Sequence, residues 1–171
     1  MTKTPEAEKL KWYPVCTYPK AEKIACQALT NKGFETFLPL QRQLKQWSDR
    51  KKWVEEPLIK SYLFLRIKEN DRTEVLMTRG IARFIFFSGK VTSMPDRQIV
   101  DLKMLVASSA DLEITEEKIA PGEKVIVRAG PLKGLTGEMI SYRSQKQLAL
   151  RLENLGYSII VNVPASLIER F

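Results

Sequence analysis

The sequence predicts an α+β protein in two modules: an antiparallel-rich sheet with helices packed on it, then a small β-barrel. Three observations carry that prediction. Strand-like and helix-like periodicities alternate through residues 11–108, whereas only short strand-like runs between turn residues follow Pro121. Between them Ser108 to Pro121 loses periodicity and turns acidic, as a linker does. Charge divides in the same place. Residues 1–110 hold 20 basic and 12 acidic side chains, and residues 111–171 hold eight of each, so the whole net charge of +8 sits in the first part.

The first module opens with a strand, Trp12 to Tyr18. Pro19 follows and suits the first turn of a helix, where a missing N–H costs no bond. Ala21, Ile24, Ala25, Ala28 and Leu29 recur at i, i+3, i+4, i+7 and i+8, one apolar helix face, and Gly33 ends the helix as a left-handed cap. Phe34 to Leu40 reads as a second strand. Gln41 to Glu56, polar and basic around Arg50-Lys51-Lys52, reads as an exposed extended hairpin. Ile59 to Ile67 alternates about Tyr62, Phe64 and Arg66 and gives a third strand. Asn70 or Asp71 caps a short helix running to about Met77, and Gly80 breaks it. Arg83 to Phe87 is a fourth strand, on which Phe84 to Phe87 cannot all point inward. Pro95 and Asp96 open a last helix whose Ile99, Leu102 and Leu105 face a core.

The expected division is a disordered N-terminus over residues 1–10, a first domain over 11–108, a linker over 109–121 and a second domain over 122–171. The second domain holds strands Glu123 to Arg128, Thr136 to Tyr142, Gln147 to Leu152 and Ser158 to Val163.

Composition excludes most enzyme classes. With no histidine there is no Ser-His-Asp or Cys-His nucleophile, no histidine base and no histidine-ligated metal. Two cysteines cannot supply a four-thiolate metal site, so no metal or cofactor is expected. Cys16 and Cys26 read as buried free thiols. The polar N-terminus lacks a signal-peptide core, and no apolar run approaches the ~20 residues needed to span a bilayer, so a soluble cytoplasmic monomer is expected. A basic first module points to a polyanion such as nucleic acid, since each phosphate contact releases counterions.

The most specific stretch runs from Val125 to Ile140. Gly130 and Gly134 permit a tight reversal between two strands, and Gly137 permits close backbone approach. Leu132 and Leu135 are expected to project apolar surface from the loop beside Lys133. No Gly-Lys-Ser/Thr ends the run, so it is not a phosphate loop. This segment resembles the KOW motif of NusG/Spt5 transcription factors and several ribosomal proteins. Trp12-Tyr13 in the first strand, the helix after it and Pro121-Gly122-Glu123-Lys124-Val125 leading into the barrel are also similar to NusG. The resemblance covers residues 11–171, from a NusG N-terminal-like α/β sandwich to a KOW barrel. Two departures, Lys60-Ser61-Tyr62 where housekeeping members carry Pro-Gly-Tyr and the short Phe34 to Pro39 segment, resemble the specialised RfaH-like and UpxY-like antiterminators of polysaccharide operons.

The resemblance implies a non-enzymatic factor that sits on the clamp helices of the largest RNA polymerase subunit and suppresses pausing and termination. It assigns the polymerase contact to a hydrophobic cup of Tyr18, Ile59, Phe84 and Ile85, with Trp12 and Tyr13 supporting it from below. Lys20, Lys23, Arg79 and Arg83 would face non-template DNA. Arg50, Lys51 and Lys52, interleaved with Trp47 and Trp53, suit single-stranded DNA or nascent RNA. The KOW loop, Gly130, Leu132, Lys133, Gly134 and Leu135, would recruit a small-subunit ribosomal protein or Rho. Two other readings stay open: a general NusG factor, and a ribosome-associated KOW protein that binds RNA, although the latter calls for a basic barrel.

Overall fold

The computed structural model describes residues 8–108 and 110–171. The expected disorder of residues 1–10 therefore falls mostly outside the described residues. The chain divides into two compact units, Met1–Asp96 and Arg97–Phe171.

In the first unit, β1 (Lys11–Thr17) lies inside a four-stranded antiparallel sheet. After it come α1 (Glu22–Asn31), β2 (Glu35–Phe37), a hairpin of β3 (Leu40–Gln46) and β4 (Lys51–Pro57), β5 (Tyr62–Ile67), α2 (Arg72–Leu76) and β6 (Ile81–Phe84). The sheet order is β2-β5-β1-β6, with Val15 opposite Leu63 on one side and Phe84 on the other. A two-stranded ribbon of β7 (Phe86–Phe87) and β8 (Lys90–Val91) completes the unit. Ser88 and Gly89 between them both have positive φ (51° and 77°), the two-residue turn whose twist matches that of antiparallel strands.

The core of this unit gathers Tyr13, Val15, Ala25, Leu29, Leu63, Leu65, Ile67, Val75, Ile81 and Phe84. Helix α1 ends as expected. Gly33 takes φ 89°, Phe34 N–H donates to Leu29 O (3.1 Å) and Gly33 N–H to Thr30 O (2.9 Å). Its start and face differ from expectation. Pro19 lies in the turn before the helix, and the buried face is Glu22, Ala25 and Leu29 while Ile24 is exposed. Glu22 is inside because its carboxylate accepts the Ser61 N–H (2.9 Å). Asp71 does not cap α2 with its side chain; its carboxylate instead accepts Lys68 N–H (3.0 Å) just before the helix. The fourth strand stops at Phe84, and Ile85 separates it from β7.

The helix α3 runs Asp96–Ala107, all but its first residue in the second unit, and buries Ile99, Asp101, Leu102 and Leu105. The unit continues with β9 (Leu112–Thr115), β10 (Glu123–Val127), β11 (Thr136–Tyr142), β12 (Gln145–Leu152), β13 (Tyr157–Val161) and β14 (Ile168–Arg170), all antiparallel in the order β14-β10-β11-β12-β13-β9. Two features depart from the expected division. The boundary falls ahead of the last helix instead of after it. Residues expected to be linker supply β9, whose Ile114 pairs with Ile159 and whose Glu113 accepts the Tyr142 hydroxyl (2.8 Å). The acidity that marks the segment as linker belongs in part to a strand.

Gly137 sits where two strands crowd. A Cβ there would lie 2.7 Å from Ala149 O and 3.0 Å from Leu148 Cδ2, as the sequence reading of close backbone approach requires.

Candidate functional site

The residues expected to form the cup divide by burial. Tyr18 is 59% exposed, just beyond β1, with its N–H donated to Gly80 O (3.0 Å). Tyr13, Ile59, Phe84 and Ile85 are buried. Tyr13 packs edge-on against Phe84, with ring centroids 6.1 Å apart and planes at 86°. Ile59, only 2% exposed, presents no surface of its own.

The exposed aromatics lie one step further along the chain. Phe86 and Phe87, at 60% and 72% exposure, stand on the short ribbon after Phe84. Phe84, Phe86, Leu76 and Val91 line a groove of about 710 Å³, whose polar lining includes Arg72, Arg83 and Glu69. Leu76 is itself exposed, as is neighbouring Met77. The strand pattern required at least one aromatic here to be exposed or covered by a neighbour, without saying which. The Ser88-Gly89 pair after Phe86-Phe87 was the available signal, because that dipeptide turns a hairpin and lifts both rings off the sheet.

The basic candidates occupy separate places. Lys20 and Lys23 share a second groove, of about 630 Å³, with Lys45 and Lys60. Lys23 Nζ, on α1, donates to Glu55 O (2.7 Å) and binds the β3–β4 hairpin to the unit, while Lys45 pairs with Glu56 across the hairpin itself. Arg79 is exposed immediately before Gly80, the residue that holds Tyr18. Arg83 is exposed in the Phe84–Phe86 groove, not with the lysines.

Arg50, Lys51 and Lys52 stand exposed at the hairpin tip, where Trp47 N–H donates to Arg50 O (2.7 Å). Pairing of Leu44 with Trp53 puts both on one hairpin face, both half-exposed, and the Arg42 guanidinium lies 5.3 Å from the centroid of the Trp53 ring. The expected interleaving of aromatics with charge is therefore a surface property of this hairpin.

The turn at Lys60-Ser61-Tyr62 is also built for this neighbourhood. Ser61 has φ 65°, a left-handed conformation that costs an L-residue roughly 1–2 kcal/mol. Its N–H donates to Glu22 and its carbonyl accepts Thr17 N–H (2.9 Å), two bonds that offset the cost of serine in a glycine-like conformation.

In the second unit, Gly130 (φ 87°) and Gly134 (φ 92°) turn the β10–β11 loop, and Gly134 N–H closes it on Val127 O (2.8 Å). Leu132 and Leu135 do not project from it. They are 7% and 0% exposed, because the reversal folds both leucines inward and leaves Pro131 and Lys133 outside. Beside the loop a small cleft of about 170 Å³ is lined by Ala129, Pro131, Leu132, Val163, Pro164 and Leu167.

With this geometry in place, the likeness to known proteins is specific. Residues 10–103 match the family model described as transcription termination factor NusG. Among solved structures, the one described as "Domain interaction in Thermotoga maritima NusG" is similar at TM-score 0.55 and 17% identity, over 96% of this chain and 99% of that chain. A structure of the MjSpt4:Spt5 complex is similar at TM-score 0.29 and 16% identity, over 94% of this chain and 97% of that chain. No curated protein matches the sequence. The mixed α+β architecture matches a NusG-like fold, and the six-stranded sheet is consistent with a KOW-like domain. With more than half of its length matched to the family, the chain belongs to the NusG family of transcription factors.

Proposed function

We propose that this chain binds RNA polymerase through the Phe84–Phe86 groove of its first unit and acts as an elongation and antitermination factor. The supporting observation is that groove: an aromatic and aliphatic lining with two arginines, on the unit that carries the chain's excess positive charge. A few desolvated aromatic anchors dominate protein interfaces of this kind. The clamp helices of the largest polymerase subunit are the proposed counterpart. In this reading Phe86, Phe87 and Tyr18 touch the polymerase, while Tyr13 and Ile59 hold the surface from below.

The action is differential binding. A factor favours the elongating polymerase by as much as its affinity for that state exceeds its affinity for the paused one, and ~1.4 kcal/mol shifts the balance tenfold. Lys20, Lys60 and the Arg50–Lys52 tip would contact non-template DNA or nascent RNA as the polymerase is held. In the second unit, the cleft beside Pro131 and Lys133 suits a protein partner, a small-subunit ribosomal protein or Rho. Action at a restricted set of operons, such as those for surface or capsular polysaccharide, is favoured by the Lys60-Ser61-Tyr62 turn, which departs from the housekeeping Pro-Gly-Tyr pattern.

The test is single-round elongation by cognate RNA polymerase on a pause-containing template and on the chain's own operon leader. Shorter pauses or increased read-through with the chain, lost on replacing Phe86 and Phe87 by alanine, is the expected result. No effect on either template, together with no binding to the clamp helices, would overturn the reading.

A further inference from the structure

Two grooves of the first unit differ in the cations they carry. The groove beside α1 holds only lysines, Lys20, Lys23, Lys45 and Lys60. The Phe84–Phe86 groove holds only arginines, Arg72 at the start of α2 and Arg83 on β6. Arg83 is exposed and Arg72 half-buried. Elsewhere in the unit Arg66 pairs with Glu35 and the Arg42 guanidinium lies over Trp53. Neither guanidinium of the groove has an ion pair or a hydrogen bond among the described residues. Glu69, the one carboxylate in the lining, stands three residues before Arg72 and pairs with neither arginine.

These charges adjoin an apolar surface of Leu76, Phe84, Phe86 and Val91. A partner that covers that surface also takes two guanidinium groups out of water. An unpaired charge is costly to bury, so an apolar or basic partner is disfavoured there. A carboxylate instead meets the planar guanidinium fork with two parallel, charge-assisted hydrogen bonds, which a lysine cannot offer.

We infer that the occupant of this groove is an acidic amphipathic segment, whose apolar side chains cover Leu76, Phe86 and Val91 and whose carboxylates are gripped by Arg72 and Arg83. The inference rests on the groove being the polymerase-binding surface, and it names the chemistry that the polymerase segment must carry. Arg72 and Arg83 are then specificity determinants, and Glu69 opposes them.

The test measures Kd of full-chain variants for cognate core RNA polymerase free of nucleic acid, at low and at high salt. Replacing both arginines by methionine keeps their aliphatic reach and removes their charge. Binding should weaken about tenfold or more at low salt, and the gap should narrow as salt screens the parent's ion pairs. Replacing both by lysine keeps the charge and removes the fork, and should weaken binding about threefold or more. Glu69→Gln should bind as tightly as the parent or more tightly. Replacement of Phe86 and Phe87 by alanine, run in parallel, separates the two ways of failing. If that variant keeps its affinity, the polymerase reading of the groove falls and this inference with it. If it loses affinity while the double methionine variant does not, the acidic partner alone is refuted. Parental affinity in the double lysine variant would overturn the inference too, since net charge would then suffice, as would weaker binding by Glu69→Gln. Should the double methionine variant fail to fold, Arg83→Met at its exposed position decides, with unchanged Kd as the refuting result.

Discussion

Replacing both Phe86 and Phe87 by alanine separates binding from folding, because neither ring carries much of the core. A phenylalanine offers about 200 Å² to bury, so 60% and 72% exposure leaves about 120 and 145 Å² open on the two residues. At about 25 cal/mol per Å², complete cover by a partner would contribute at most about 6–7 kcal/mol for the pair. Ordering and imperfect cover reduce such figures by half or more, so a loss of about 2–3 kcal/mol, or roughly 30- to 150-fold in Kd, is the expected effect on polymerase binding. The covered remainder of the rings limits the folding cost to about 1–3 kcal/mol. Kd would be measured by biolayer interferometry on immobilised core polymerase, with urea unfolding of each variant alongside. A Kd change below threefold in a folded double variant would refute the assignment of this groove. So would an equal loss on mutating the remote Trp53 to alanine.

Three further predictions rest on other parts of the molecule. Ile59→Asp should act as a folding lesion, since an unpaired carboxylate at a position 2% exposed costs several kcal/mol; scanning calorimetry should show the Tm of the first unit falling by ~15 °C or more, and an unchanged Tm would show that Ile59 can turn outward. Replacing Arg50, Lys51 and Lys52 by alanine should flatten the dependence of log K on log salt for a single-stranded oligonucleotide by about 2, and quenching of tryptophan fluorescence should report the binding; an unchanged slope would place nucleic acid elsewhere. The Tyr142 phenol is held above its ordinary pKa of 10.0, first by its hydrogen bond to Glu113 and then by desolvation. Because the folded-state pKa is raised, this stabilisation is present below pH 10.0 and lost as pH rises through the folded value, so absorbance titration should show a tyrosine phase above pH 10.0 that Tyr142→Phe removes.

The sequence reading succeeded where one local force decides the structure. Gly33, Gly130 and Gly134 occur where the chain needs positive φ, and each occupies the turn its position implied. The hairpin over 41–56 is legible because its polarity left no core to join. The reading lost ground where a tertiary partner decides. Glu22 displaced Ile24 from the inner face of α1 because the Ser61 amide, far away in sequence, needed an acceptor. Glu113 looked like linker acidity until Tyr142 was seen to donate to it. Leu132 and Leu135 lie between turn glycines, and periodicity cannot say whether a loop leucine faces in or out; the bonds from Gly134 N–H to Val127 O and from Val127 N–H to Leu135 O decide that it folds inward. The polymerase candidates suffered the same ambiguity, since an apolar strand residue has the same pattern whether it packs a core or faces a partner.

Backbone strain gives an independent reason to connect the lysine groove with function. Of the described non-glycine residues, only Lys20, Ser61, Ser88, Arg143 and Ser144 have positive φ. Ser88, Arg143 and Ser144 sit in two-residue strand turns that require it. Lys20 (φ 62°) stands third in the Tyr18-Pro19-Lys20-Ala21 turn, where positive φ is required but glycine is the usual residue, and Ser61 (φ 65°) stands just before β5; both line the same groove as Lys60. Ser61 has two hydrogen bonds to hold it, one from its N–H to buried Glu22 and one to its carbonyl from Thr17. Lys20 lies between Tyr18, tied to Gly80, and Ala21, whose N–H donates back to Tyr18 O (3.0 Å). The fold thus sustains a strained lysine beside a second exposed one, with Lys23 and Lys45 already committed to the hairpin. Strain of about 1–3 kcal/mol persists where the surroundings over-determine it, and it clusters at sites whose geometry matters. Replacing Lys20 by glycine relieves the strain and removes the charge, whereas Lys20→Arg keeps both. If the groove holds a phosphate backbone, the glycine variant will be more stable but bind single-stranded DNA more weakly, and the arginine variant will keep both properties of the parent.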